Sequence, residues 1–269
     1  MSYKEYKLLK IRVRGGVAYV TIDNPPTNLI TIELVEEFLN FTKEVEKDDK
    51  VRVIVFDSAD PDIFLAHFDV SVLDELPDEA PPKPTELHEM NQIGEAFRTM
   101  PKVSIAMIEG IARGGGSEFL LALDMRFGAI GKAIVGQPEV FVGIIPGGGG
   151  TQRLPRLMGR SRALEVVLSG SDLDAELAEK YGYINRALPP EELKSFVKNL
   201  ARRIASHPAG TIALAKKAVL TAEELPIVKG LLEEANLFNQ AIALPAAQQR
   251  MKAMLKGDGQ SRDSELTER

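Results

Sequence analysis

Cysteine and tryptophan are both missing from the 269 residues, and only three histidines are present. Without cysteine there is no disulfide framework, no thiol nucleophile and no Cys-ligated zinc or iron–sulfur site. His67, His88 and His207 are scattered along the chain, which argues against a His-rich metal site. Basic residues are outnumbered: 33 Lys and Arg face 39 Asp and Glu, for a formal charge of −6. A general nucleic-acid binder shows the opposite balance. A phosphate-bearing ligand held by a few local amides stays open. No apolar run approaches the length of a membrane span. Met1 leads straight into Ser-Tyr-Lys-Glu-Tyr-Lys, without the basic-then-apolar pattern of a signal peptide. The expectation is a soluble cytoplasmic protein with neither a nucleic-acid nor a membrane partner. Hydrophobic residues at 44% and charged residues at 27% suffice for a substantial core. The length fits one or two domains.

Strand and helix patterns alternate through most of the chain. Val17–Ile22 is short, β-rich and stopped by Asp23-Asn-Pro-Pro. Apolar residues at 34, 35, 38, 41 and 45 then recur at helical spacing, with Thr31 as a candidate N-cap. Val51–Phe56 is apolar almost throughout, as in a buried parallel strand. Four prolines between Pro77 and Pro84 preclude regular structure, so this segment is expected to be a mobile surface loop. Helical periodicity resumes over Thr85–Met100, followed by a strand at Val103–Ile108 and a short apolar helix at Ser117–Leu123. The class is α/β with a mostly parallel sheet. From about residue 190 the pattern is helical, over 191–206, 209–224 and 227–244, with a polar tail from Lys256 expected to fray. No fixed-period repeat is present.

The common catalytic signatures are also missing: no P-loop, no GxGxxG, no GxSxG elbow and no HExxH. Chemistry therefore falls to carboxylates and backbone amides. Gly114-Gly115-Gly116-Ser117-Glu118 lies between a strand and an apolar helix. Its glycines let a ligand approach the main chain, and the amides opening the helix suit an oxygen gaining negative charge. The plainer reading is a tight strand–helix crossing with a dipole-favoured Glu. A second carboxylate, Glu139, stands in Gly136-Gln-Pro-Glu and is followed by the glycine run Gly147–Gly150. Alone it would read as a surface residue. Beside Glu118 it could divide acid and base labour, because paired carboxyls oppose each other's ionisation.

Three segments together resemble the crotonase (enoyl-CoA hydratase/isomerase) superfamily. They are Gly110-Ile-Ala-Arg-Gly-Gly-Gly-Ser-Glu-Phe-Leu-Leu-Ala-Leu-Asp124, then Gly136-Gln-Pro-Glu-Val through Gly143-Ile-Ile-Pro-Gly-Gly-Gly-Gly-Thr-Gln-Arg-Leu-Pro155, and Leu168-Ser-Gly through Asn185. Asn24-Pro-Pro-Thr-Asn28-Leu also fits, and the likeness runs from about residue 10 to about residue 220. The resemblance implies a spiral ββα acyl-CoA-binding core over residues 1–204 and a helical oligomerisation region over 205–269. It implies an acyl-CoA substrate, a homotrimer or dimer of trimers, and no metal or cofactor beyond the coenzyme A carried by the substrate. By motif position, the amides of Phe68 and Gly115 would form the oxyanion hole. Glu118 would help activate a water, Glu139 would handle the α-carbon proton, and the Gly147 amide would orient the water.

The sequence departs from that pattern in places. The first oxyanion loop normally reads Ala-Gly-Ala-Asp, whereas here it is Ala66-His67-Phe68-Asp69. A backbone amide at 68 can still donate, but the Phe ring could narrow the acyl pocket. His67 has three readings: a packed or surface residue, a contact to a polar acyl group or to CoA, or an added acid–base group. Leu65, Ala66, His67, Asp69, Phe141 and Ile144 are the candidate substrate-binding residues. Val70 and Leu73 could join an apolar wall, with ordinary core packing as the alternative. One extra residue lies between Asp124 and Glu139; a bulge near Gly128–Lys132 could absorb it, and otherwise Glu139 would be displaced from the water. No CoA-phosphate position carries over at the C-terminus. Lys252 and Lys256 are candidates by proximity alone, with solvated surface lysines as the alternative reading.

The expected activity is addition of water across the 2,3 double bond of an enoyl-CoA in fatty acid metabolism. Retention of both glutamates favours this lyase chemistry over double-bond isomerisation, which can dispense with Glu118. Hydrolase or decarboxylase chemistry on the same oxyanion hole is a further alternative. A non-catalytic or RNA-binding homologue is the reading from another class, and the acidic balance argues against it.

Overall fold

The computed structural model of the chain describes residues 3–73, 79–256, 261, 262 and 266. Contacts group the chain into two compact units, Met1–Ala205 and Ser206–Arg269.

The first unit opens with a hairpin of β1 (Leu9–Arg14) and β2 (Val17–Ile22), followed by α1 (Ile32–Lys47). Successive turns then repeat two strands and a helix. These are β3 (Val53–Ser58), β4 (Ile63–Leu65) and α2 (Glu89–Thr99), then β5 (Val103–Ile108), β6 (Ile111–Arg113) and α3 (Gly115–Ala122). After them come β7 (Met125–Ala129), β8 (Ile134–Gly136), α4 (Gly150–Met158) and α5 (Arg160–Ser169). The unit closes with β9 (Leu173–Asp174), α6 (Ala175–Tyr181), β10 (Arg186–Leu188) and α7 (Pro190–Ala205). Each central turn gives one strand to each of two sheets. The larger sheet runs β1-β2-β3-β5-β7-β10 and the smaller β4-β6-β8-β9. Apart from the β1–β2 and β8–β9 pairs, all pairings are parallel. This is the α/β class expected from the alternating pattern, wound as the ββα spiral that the family resemblance implies. β5 is buried at every position, which explains why Val-Ser-Ile-Ala-Met-Ile shows no polar alternation.

Helix α1 begins where anticipated: Thr31 Oγ1 accepts from Leu34 N at 3.3 Å. Its buried face carries Phe38 and Phe41 into an aromatic cluster with Phe56 of β3, Phe97 of α2 and Phe119 of α3. Phe38 and Phe119 stack at 4.8 Å. This cluster holds α3, the helix carrying Glu118, from behind. Aromatic pairs of this kind contribute about 0.5–1.5 kcal/mol each beyond their buried area.

Boundaries shift where local chemistry hides them. The strand read at Val51 starts at Val53, because Val51 N instead closes a turn onto Asp48 O at 3.0 Å. The short apolar helix starts at Gly115, two residues early, with Gly114 as its N-cap. Poor glycine propensity masks that first turn. The helix read from Thr85 begins at Glu89. Residues 79–88 are exposed and lack regular structure, while 74–78, including Pro77, lie outside the described residues. Strands of three residues such as β4, β6, β8 and β10 are too short to show a period.

The second unit contains α8 (Ala209–Glu224), α9 (Ile227–Ala243) and α10 (Pro245–Lys256). Lys217 and Glu233 pair across α8 and α9 at 3.8 Å, and Arg250 Nη2 donates to Ser206 O at 2.9 Å. Lys252 and Lys256 are exposed on α10, and most of the polar tail lies outside the described residues. Among the described residues, no helix is long and apolar enough to cross a membrane.

Candidate active site

The site is assembled from four short loops. The first follows β2. Asn28 takes a left-handed φ of 48°, and its Nδ2 donates to Ser58 Oγ at 2.8 Å and reaches the carbonyls of Ile63 and Phe64, both at 3.3 Å. Its own carbonyl accepts from Ala66 N at 2.9 Å. Further on, Ile30 N donates to His67 O at 3.1 Å and Asp69 N to Ile30 O at 3.0 Å. This ladder fixes one edge of the 66–69 loop. The Phe68 amide faces the other way and has no protein acceptor among the described residues.

The second loop leads from β6 into α3. Gly114 N donates to Gly136 O at 3.1 Å, and Gly115 opens the helix with its N–H outside the intrahelical ladder. Gly116 explains the close approach of these two loops. A Cβ there would lie 2.0 Å from the Leu65 carbonyl oxygen and 2.5 Å from that of Ala66. The Phe68 nitrogen is 3.3 Å from where a Cβ on Gly115 would stand. The amides of Phe68 and Gly115 are therefore neighbours, although they are 47 positions apart in the chain.

The third loop is the glycine turn entering α4. Glu118, only 5% exposed, points into it, and its Oε1 accepts from Gly150 N at 2.8 Å. The Gly148 amide also bonds this carboxylate. Gly149 sits at φ 116°, a conformation that disfavours any side chain. The Gly147 carbonyl accepts from Asn91 Nδ2 at 3.1 Å and lies 2.9 Å from His88 Nε2. Arg153 Nη1 donates to Gly148 O at 3.2 Å while Nη2 pairs with Glu95 at 2.8 Å. The turn is thus clamped from α2 and from α4 itself. The N-termini of α3 and α4 both meet Glu118, a favourable placement for negative charge.

The fourth loop is a 3-10 turn, Glu139–Val142, following β8. Behind it lies a buried polar chain. Gln137, Ser117 and Tyr183 are each fully buried. With its amide nitrogen toward Glu139, Gln137 donates to Oε1 at 2.9 Å and Oε2 at 3.2 Å, and its oxygen accepts from Ser117 Oγ at 2.8 Å. The Ser117 hydroxyl in turn bonds the Tyr183 hydroxyl.

Glu118 and Glu139 line one cavity of about 700 Å³. Burial pushes the Glu139 carboxyl up to about 7, its own backbone amide opposes this, and the Glu118 charge adds to it. Burial raises Glu118 as well, countered by the Gly150 and Gly148 amides and by His88 and Arg153. One carboxyl thus takes two fixed amide donors while the other is poised to carry a proton near neutrality.

Phe68, Gly115, Gly147, His67, Phe141 and Ile144 also line the cavity. Val70 joins them, and the Phe68 side chain packs partly against the core. His67 is exposed at this wall, with Nδ1 2.8 Å from Phe68 O. Three candidates lie elsewhere. Leu65 is fully buried in the core, because the tight crossing at Gly116 turns it inward. Ala66 stays behind the wall, its amide held by Asn28. Asp69 Oδ1 accepts from Ser71 N at 3.0 Å, closing a local turn. The side chain of Leu73 lies outside the described residues. The β7–β8 connection reverses in a turn at 130–132, with Gly131 at φ 74°, and Glu139 still lines the cavity. Sequence reasoning missed His88, Asn91, Gln137 and Tyr183. Gln137 was visible inside Gly-Gln-Pro-Glu; the other three carry no local signal.

Two sheets fed in alternation by a ββα spiral, with two carboxylates on one cavity, define a crotonase-type fold. The chain belongs to the enoyl-CoA hydratase/isomerase family, whose pattern it matches over residues 12–257. It is 31% identical over 256 residues to the crotonyl-CoA hydratase of Syntrophomonas wolfei, covering 93% of this chain and 96% of that one. It is 30% identical over 243 residues to the short-chain-enoyl-CoA hydratase of Clostridium acetobutylicum, covering 90% and 92%. The crystal structure of enoyl-CoA hydratase from Bacillus anthracis superposes with a TM-score of 0.85 at 27% identity, over 93% of this chain and 96% of that one.

Proposed function

We propose that this chain hydrates 2-enoyl-CoA thioesters, and dehydrates the 3-hydroxy products in reverse. The observation that carries this reading is the pairing of Glu118 and Glu139 on one cavity beside the unpaired amides of Phe68 and Gly115. Conjugation to the thioester carbonyl makes the β-carbon electrophilic. Attack by water moves negative charge onto the carbonyl oxygen, where the Phe68 and Gly115 N–H groups receive it. Each such donor is worth about 3 kcal/mol of barrier. Glu118, raised by burial but with amide donors that favour its charged form, takes a proton from the attacking water. Glu139 gives its proton to the α-carbon, and its carboxyl near 7 suits both delivery and recovery. Positioned acid–base groups of this kind contribute about 10²–10⁴ in rate. The addition is redox-neutral, so proton transfers and oxyanion stabilisation supply its chemistry, with coenzyme A entering as part of the substrate.

The apolar wall of Phe68, Val70, Phe141 and Ile144 receives the acyl chain. The enzyme works in the cytoplasm, in fatty acid metabolism, as a homotrimer or dimer of trimers. The test is turnover of a panel of enoyl-CoAs, followed by loss of the conjugated-thioester absorbance. E139Q should abolish hydration and isomerisation alike, whereas E118Q should damage hydration and spare isomerisation. Full activity of both variants on every enoyl-CoA would overturn the acid–base assignment.

A further inference from the structure

The buried hydroxyls of Ser117 and Tyr183 lie outside the catalytic scheme, yet they end on one of its groups. Both side chains are fully buried, and burying hydroxyls is costly unless they are bonded to some purpose. Tyr183 is held by its backbone: its N donates to Ala178 O at 2.8 Å and its carbonyl accepts from Arg126 Nε at 2.8 Å. Its hydroxyl lies against Ser117 and Gln137. A phenol is the more acidic hydroxyl of the pair and so donates to the alcohol. Ser117, having accepted from Tyr183, donates onward to the Gln137 oxygen at 2.8 Å. That leaves the Gln137 nitrogen facing the two Glu139 oxygens at 2.9 and 3.2 Å. The reverse orientation would set an amide oxygen against a carboxylate.

We propose that Tyr183 and Ser117 are positioning residues, which set the direction of a hydrogen-bond chain so that the Gln137 amide donates to Glu139 and holds its carboxylate toward the cavity. An amide can turn over at almost no steric cost, so Gln137 alone would not hold one direction. Two hydroxyls in series, the last a phenol, remove that ambiguity. Donation favours the ionised form of Glu139. The other ionisable groups around Glu139 are Glu118, His67 and His88 on the shared cavity, and Arg113 beside Gly114, bonded to Asp172 at 2.5 Å. Arg126 lies behind Tyr183, and Arg160, Arg162 and Glu165 are carried by α5, which packs on the 3-10 turn. Removing either hydroxyl takes away none of these charges.

The inference builds on the proposed role of Glu139, so one arm of its test needs no turnover. Carboxyl carbon-13 NMR of the full chain, with the Glu139 signal assigned by its loss in E139Q, gives the titration midpoint directly. Y183F and S117A each remove one oxygen from the interior. Each should move the midpoint upward by about half a pH unit or more, the loss of a charge-assisted donor. In turnover of an enoyl-CoA, kcat should fall roughly fivefold with KM within twofold, and its basic limb, set by loss of the Glu139 proton, should shift upward with the NMR midpoint. In a Q137M background, Y183F should then add nothing. In the unsubstituted protein, the Gln137 side-chain amide nitrogen should titrate with the same midpoint as Glu139. That readout keeps the inference testable if a variant fails to fold. An unmoved midpoint in both variants, or a Gln137 amide blind to the Glu139 titration, would overturn it. A protein inactive on all enoyl-CoAs but with shifted midpoints would overturn the hydratase reading alone.

Discussion

Glu118 and Glu139 are the same residue type in one cavity, and their surroundings separate them. Burial raises Glu118 too, but the Gly148 and Gly150 amides at the start of α4 oppose that shift by stabilising its charge. Glu139 is lifted to about 7 by burial and by its neighbour. The stability consequence has a definite sign. A carboxyl raised in the folded state binds its proton more tightly there than in the unfolded chain. Its contribution to stability is full below the unfolded value, about 4.3, and is lost as pH rises through the folded value near 7. E139Q removes that loss. The melting temperature of E139Q should therefore gain on the unsubstituted protein between pH 5 and pH 8, by a few degrees in a calorimetric pH series. Parallel curves for the two proteins would show that burial does not act on Glu139 as described.

Among the elements, the crossing of α3 over the loop after β4 decides whether two amides share one target. Gly116 makes it possible, since any side chain there meets backbone oxygens at 2.0 and 2.5 Å. Backbone cannot yield as a flexible side chain can. G116A should cost roughly 1–3 kcal/mol in stability and separate the Phe68 and Gly115 amides. Thermal melts should show the first effect. The second should appear as a fall in kcat well beyond what the remaining folded fraction explains. Legibility from sequence follows the same logic. The glycines of 114–116 and 147–150 stand in contiguous runs, so their service to a backbone site could be read directly. The clamp of His88 and Asn91 on Gly147 spans 59 and 56 positions, and nothing local marks it. Leu65 looked like a wall residue by its place beside the oxyanion loop. The crossing turns it into the core instead.

At the scale of the whole molecule, the second unit presents an apolar surface. Ile227, Val228, Leu232 and Val219 on α8 and α9 are 76, 68, 68 and 73% exposed in the single chain. Ile227, Val228 and Leu232 recur at helical spacing on α9, and an exposed apolar stripe of this kind suits association between copies. If copies of the chain cover it, sedimentation should report three or six times the 29.5 kDa chain mass. Paired V228D and L232D substitutions should lower that mass. A monomer in solution at micromolar concentration would refute the assembly.

By itself the sequence determined the α/β class, the positions of α1, α7, α8 and α9, and the short motifs that carry Glu118, Glu139 and the glycine turns. Those features rest on periodicity and on runs of adjacent residues. Only the tertiary structure decided which amides hold Glu118 and which way Leu65 faces. It alone set the buried line from Tyr183 through Ser117 and Gln137 to Glu139. The physical reason is distance along the chain. Ser117 and Tyr183 are 66 positions apart and meet only because the spiral stacks one turn on the next.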